Sequence, residues 1–157
     1  MAIGQPLETV DNRASKNRLE TMPGHNRARG IEPRGLVMDF QEQAQQHSQI
    51  REALLAAVTE RRALDPALLP TDRLCPTGCW LQGEDARRWA GHHALLGLVE
   101  THRAFHQEAA VVAGHIQRGQ WTQGQRALRN GSPFALALTD LLAALRRMRA
   151  AASSLAA

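Results

Sequence analysis

The chain predicts an all-α fold: an antiparallel four-helix bundle with an additional short helix opened by a cysteine. Three observations carry this. Alanine, leucine, arginine and glutamine are abundant in the 157 residues, and tyrosine is absent. These abundant residues favour helix. Apolar residues recur three and four apart, with little strand-like alternation. The breaks between periodic stretches are short enough for successive helices to be antiparallel neighbours.

Residues 1–36 are polar, basic and punctuated by Pro6, Pro23, Gly24, Gly30, Pro33 and Gly35. No periodicity holds there, which predicts a disordered basic N-terminal arm. Such an arm is a linker, a docking tail or an upstream over-extension of the reading frame. His25 lies in it and is set aside as a ligand. The bundle is expected over 37–152, with 153–157 as a tail.

The first helix is expected from about Met38 to Ala63. Phe40, His47 and Leu54 are spaced seven apart, and Ala44, Ile50 and Val58 fill the same face. Asp65-Pro66 ends it, and a proline-containing loop follows. A short helix is expected from about Pro76 to Gln82, with proline at its first position. The next helix starts near Asp85 or a few residues later and runs to about Arg118, its first half weakened by Gly91 and Gly97. Its apolar face carries Leu95, Leu98, Val99, Phe105, Ala109, Val112 and Ile116. A helix over about Trp121 to Arg129 is broken by Asn130-Gly131. Ser132-Pro133 then reads as the N-cap and first turn of the last helix. Phe134, Leu138, Leu141, Leu142, Leu145 and Met148 share its face.

The candidate chemistry lies on those apolar faces. His102 and His106 are four apart, one above the other on a helix. Two imidazoles so placed can bind one metal ion; from spacing alone, core or boundary histidines are the stronger reading. A buried imidazole without a polar partner costs stability, and no acid is obvious beside these two. His47 sits in the stripe of the first helix. Cys75 precedes Pro76, where a thiolate would face the positive end of the short helix and bind metal more easily. Three histidines and one cysteine make a closed tetrahedral set, which suits zinc. The other readings of Cys75 are a small buried hydrophobe or, from its Cys-Pro pair, a haem contact. His93 and His115 are each nine residues from a candidate ligand, hence on the opposite side of their helix. They and His92 are expected at the surface.

In order, His47, the segment Cys75 to Leu81 as Cys-x-x-Gly-x-Trp-Leu, and His102-x-x-Phe-His106 resemble the chemoreceptor zinc-binding (CZB) domain family. The resemblance covers roughly residues 40–150. It implies a helical bundle holding one Zn2+ through His47, Cys75, His102 and His106. It also implies a cytoplasmic bacterial sensory module, and a homodimer is compatible with it. In such modules zinc occupancy, or oxidation of the zinc-bound thiolate by an agent such as hypochlorous acid, changes the output of a chemoreceptor or diguanylate cyclase pathway. Two departures stand out. The position before the tryptophan, often basic in the family, is Cys79. No output domain accompanies the bundle, which leaves the pathway unnamed.

Trp80 and Leu81 are expected to seat the short helix on the bundle, and Gly78 to allow a close helix approach. Cys79 lies one turn from Cys75, far for a disulfide along a regular helix. It could resolve an oxidised Cys75 only if that helix melts.

Other classes are disfavoured. A zinc protease of the His-Glu-x-x-His type needs glutamate after the first histidine; Arg103 stands there. Carboxylates spaced for a di-iron bundle are missing, as are phosphate loops and serine-histidine-aspartate groupings, so no enzyme is expected. The net charge of +4 comes with short arginine pairs, Arg61-Arg62, Arg87-Arg88 and Arg146-Arg147, read as solvated helix faces and ends. No nucleic-acid motif accompanies them. Two cysteines do not make a secreted disulfide scaffold. No segment is apolar enough to insert in a membrane. A zinc buffer, or a helical interaction scaffold with a purely structural zinc, is the alternative from another class.

Overall fold

The computed structural model describes residues 38–155. The disordered arm expected over 1–36 lies outside them. The described residues are all-α, with no strand among them. They form α1 (Phe40–Glu60), a 3-10 turn (Pro66–Leu68), α2 (Pro76–Leu81), α3 (Glu84–Arg87), α4 (His93–Gln117), α5 (Trp121–Ala127) and α6 (Pro133–Leu155).

Local chemistry sets the ends. Asp39 caps α1 by accepting from the amides of Gln41 and Glu42 at 2.9 and 3.1 Å. The helix stops at Arg61, whose φ of 52° places it in the left-handed region. Ser132 Oγ accepts from the Ala135 amide at 3.2 Å and opens α6, as its Ser-Pro pair implied.

One expected helix proves to be two. The stretch from Asp85 to Arg118 breaks after α3, and α4 starts at His93. Gly91 has φ +80°, a turn conformation that glycine adopts without steric cost. His92 Nδ1 then accepts from the Ala94 amide at 3.1 Å and caps the new helix. Gly97, by contrast, is accommodated inside α4.

The core forms where the apolar stripes of α1, α4 and α6 meet. Leu54, Leu98, Phe105, Val112, Leu141, Leu145 and Met148 are fully buried, each worth about 1.5–3 kcal/mol relative to exposure. Phe105 and Phe134 join α4 to α6 with ring centroids 5.6 Å apart. Val99 departs from expectation and is 42% exposed. It lies about 100° around the helix from buried Leu98, on the flank of the stripe. Of the three long helices, α4 and α6 pack most extensively, α1 packs on α6, and α1 and α4 share the least contact. The histidines occupy that last seam.

Candidate metal centre

Three helices deliver the four expected residues to one point. His47 comes from the middle of α1, Cys75 from the N-cap of α2, and His102 and His106 from successive turns of α4. All four are buried, and one donor atom from each lies within 4.8 Å of every other. Cys75 Sγ is 3.0 Å from His102 Nε2. The His102 and His106 ring centroids are 4.7 Å apart, and His47 stands 5.4 and 5.6 Å from them. A tetrahedral zinc ion would hold such donors about 3.3–3.6 Å apart, given ligand bonds of about 2.0–2.3 Å. The donor set has the chemistry that suits zinc, and its atoms are gathered closely enough to converge on one ion.

Hydrogen bonds decide which nitrogen of His47 faces the cluster. Its Nδ1 lies 2.7 Å from the Gln43 carbonyl. A carbonyl only accepts, so Nδ1 carries the proton and Nε2 presents a lone pair. That Nε2, and Nε2 of His106, are buried with no hydrogen-bond partner. An unpartnered buried polar atom costs about 1–3 kcal/mol. Two in one cluster with a thiol form a donor set that could hold a metal ion.

Burial sets the protonation. His102 is lowered to about 3 by burial first, then by the neighbouring His106 and His47. His106 is lowered to about 4 by burial and His47, against the opposing influence of Asp72 and the Pro70 carbonyl. His47 is lowered by burial against its bond to Gln43. The imidazoles are thus neutral at pH 7, the form that coordinates metal. Burial pushes the Cys75 thiol up, although the Gly78 and Thr77 amides favour the thiolate. The Gly78 amide does reach Sγ, at 3.3 Å, as expected of the helix end, but in the metal-free protein desolvation outweighs it. A bound cation would reverse that balance and displace the proton.

The short helix is held as its tryptophan implied. Trp80 meets Phe40 edge to face, with centroids 5.4 Å apart. Gly78 does allow a close approach, but not of a neighbouring helix. A Cβ there would overlap the backbone carbonyl of Asp72, in the loop leading to Cys75. Two openings flank that loop, with Pro70 lining both. One of about 200 Å³ reaches His47 and Cys75, and one of about 330 Å³ reaches His106 beside Arg103. Cys75 itself is 2% exposed and lies against His102.

Among the described residues, the remaining cysteine and histidines stay outside the cluster. Cys79 is exposed. His93 is exposed; His92 and His115 are half-buried rather than fully at the surface. His115 Nδ1 pairs with Gln120 Oε1 at 2.8 Å. Sequence reasoning missed two buried polar residues beside the site, Gln43 and Thr77. Gln43 precedes His47 by one turn on the same face, a signal that was available; nothing in the sequence pointed to Thr77.

Comparison of the chain with protein families, with curated proteins and with solved structures gave no match.

Proposed function

We propose that this chain is a zinc-binding regulatory protein of the CZB type. In this reading His47, Cys75, His102 and His106 hold one Zn2+, and α1, α4, α5 and α6 are its antiparallel four-helix bundle. The observation that carries the reading is the buried three-histidine, one-cysteine cluster with two unpartnered imidazole nitrogens. Four protein donors leave no open coordination position, so the reading includes no enzymatic activity.

When bound, zinc supplies bonds that tie α2 to α1 and α4. Without them, α2 is held by the packing of Trp80 on Phe40, the Thr77–Gln43 hydrogen bond and the contact of Cys75 with His102. A ligand that favours one arrangement shifts the population toward it. Either zinc occupancy or oxidation of Cys75 can therefore be the signal. The output is a chemotaxis or cyclic-di-GMP pathway partner in the cytoplasm, read by the chain alone or as a homodimer. Among the described residues no helix is long and apolar enough to cross a membrane.

Elemental analysis of the purified protein beside Cys75→Ser tests this. One zinc per chain, weakened in the variant, is expected; no zinc in either after reconstitution would sink the reading. The closed donor set also favours a second reading, a zinc buffer or a scaffold with structural zinc. A His106→Ala protein that unfolds globally supports structural zinc; a folded one with altered partner binding supports the sensor.

A further inference from the structure

Gln43 and Thr77 are a buried polar pair that neither the apolar core nor the four donors account for. They are 5% and 0% exposed. Thr77 Oγ1 donates to Gln43 Oε1 at 3.0 Å, joining α2 to α1. The main-chain carbonyl of the same Gln43 accepts from His47 Nδ1 at 2.7 Å. Thr77 stands two residues beyond Cys75, and its backbone amide, like that of Gly78, acts on the Cys75 sulfur. One glutamine is thus tied through its backbone to one donor and through its side chain to the helix that carries another. An apolar pair of similar shape would fill the space without desolvating two polar groups. A buried donor paired with a buried acceptor instead specifies one arrangement.

We propose that Gln43 and Thr77 are positioning residues, a hydrogen-bonded clamp that sets the His47 imidazole against the Cys75 sulfur before the metal arrives. The proposal rests on the zinc reading above. Partners behind a metal ligand fix its orientation, and losing one typically weakens binding about 10–100-fold. Here the clamp joins two ligands from different helices, so its loss separates them rather than freeing one ring.

The test is zinc affinity of the full chain by competition with a chromophoric chelator. It compares wild type, Thr77→Val, Thr77→Ser, Gln43→Met and the Thr77→Val/Gln43→Met double variant. Helix content and the cobalt(II) spectrum are recorded for each. Thr77→Val and Gln43→Met are each expected to lose about tenfold or more. The double variant should be no weaker than either single one, since both break the same contact. Thr77→Ser, which keeps the hydroxyl, should retain wild-type affinity. In Thr77→Val the cobalt ligand-field bands should shift while the thiolate-to-cobalt band persists.

Unchanged affinity in Thr77→Val would overturn the clamp. So would equal loss in Thr77→Ser, or reduced metal-free stability with zinc affinity intact. Loss of fold in both Thr77→Val and Gln43→Met would assign the pair to holding up the helices instead. A wild-type chain that takes up no zinc removes the metal reading itself, and the same titration shows this before any variant is compared.

Discussion

Cys75 Sγ and His102 Nε2 lie 3.0 Å apart although 27 residues separate them in the chain. The contact joins the N-cap of a six-residue helix to the middle of a 25-residue one. A short helix is marginal by itself, so what holds α2 is tertiary: Trp80 on Phe40, Thr77 on Gln43, and the cluster at Cys75. Changes at the cluster should therefore register as changes in how α2 is held.

Zinc should raise the thermal stability of the wild-type chain and fail to do so in His106→Ala. At zinc one hundred times its dissociation constant, linkage gives about 2.7 kcal/mol. The metal-free variant loses a buried ring but also sheds an unpartnered acceptor whose burial costs about 1–3 kcal/mol. Its metal-free melting temperature should accordingly stay near that of wild type. Scanning calorimetry with and without zinc checks both; a variant stabilised by zinc as much as wild type would remove His106 from the ligand set.

Acid should destabilise the metal-free protein. The folded pKa values of His102 and His106 lie at about 3 and about 4, below the unbound value of 6.5. The unfolded chain then binds more protons, so stability rises with pH across this window. It is fully present above about pH 6.5, and it is lost as pH falls toward 4 and then 3. Denaturant unfolding at pH 7 and pH 4.5, without metal, should show a lower midpoint at the acid end. Equal midpoints would mean that the rings are not buried neutral.

Gly78→Ala should damage the site without touching a donor. The new Cβ would meet the Asp72 carbonyl, and relieving that overlap must move the loop or α2. Overpacking of this kind costs about 1–3 kcal/mol. Zinc affinity should fall with it, because Cys75 lies between the two clashing segments. Chelator competition reads the loss, and an unaltered affinity would show that the loop yields freely.

The two thiols should differ in reactivity. In the metal-free protein, iodoacetamide should modify exposed Cys79 before Cys75, which is 2% exposed and whose thiol is pushed up by burial. If oxidant is the signal, hypochlorous acid should release zinc from Cys79→Ser as it does from wild type. Peptide mapping after timed labelling checks the order; a Cys75 inert to oxidant with zinc still bound would remove the redox version.

Local periodicity made much of this molecule legible in its sequence. His47 falls in a seven-residue stripe with Phe40 and Leu54, and all three are buried. His102 and His106 share the face of Leu98, Phe105 and Ala109, because a helix brings residues four apart into line wherever it forms. The Ser132-Pro133 start of α6 was equally readable, since a cap is a contact within one turn. The helical class and the inward-facing histidines therefore came from short-range pattern, whereas grouping them with Cys75 rested mostly on the family resemblance. The break at Gly91 was harder to read, because a glycine tolerated inside α4 at position 97 looks the same in sequence as one that ends a helix.

What tertiary structure alone decided concerns distance and solvent. That α1 and α4 leave a seam able to take three imidazoles and a thiol depends on α6 packing against both. The upward push on Cys75 arises from burial, which no local pattern reports, and it overrides the helix-end effect that the sequence suggested. The Thr77–Gln43 bond spans 34 residues. A hydroxyl two places past a cysteine has no marked partner until the chain is folded. The sequence by itself determined which side chains face inward along each helix, because that is geometry within a turn. The fold determined how far apart they stand and how dry they are, because both depend on what the other helices cover.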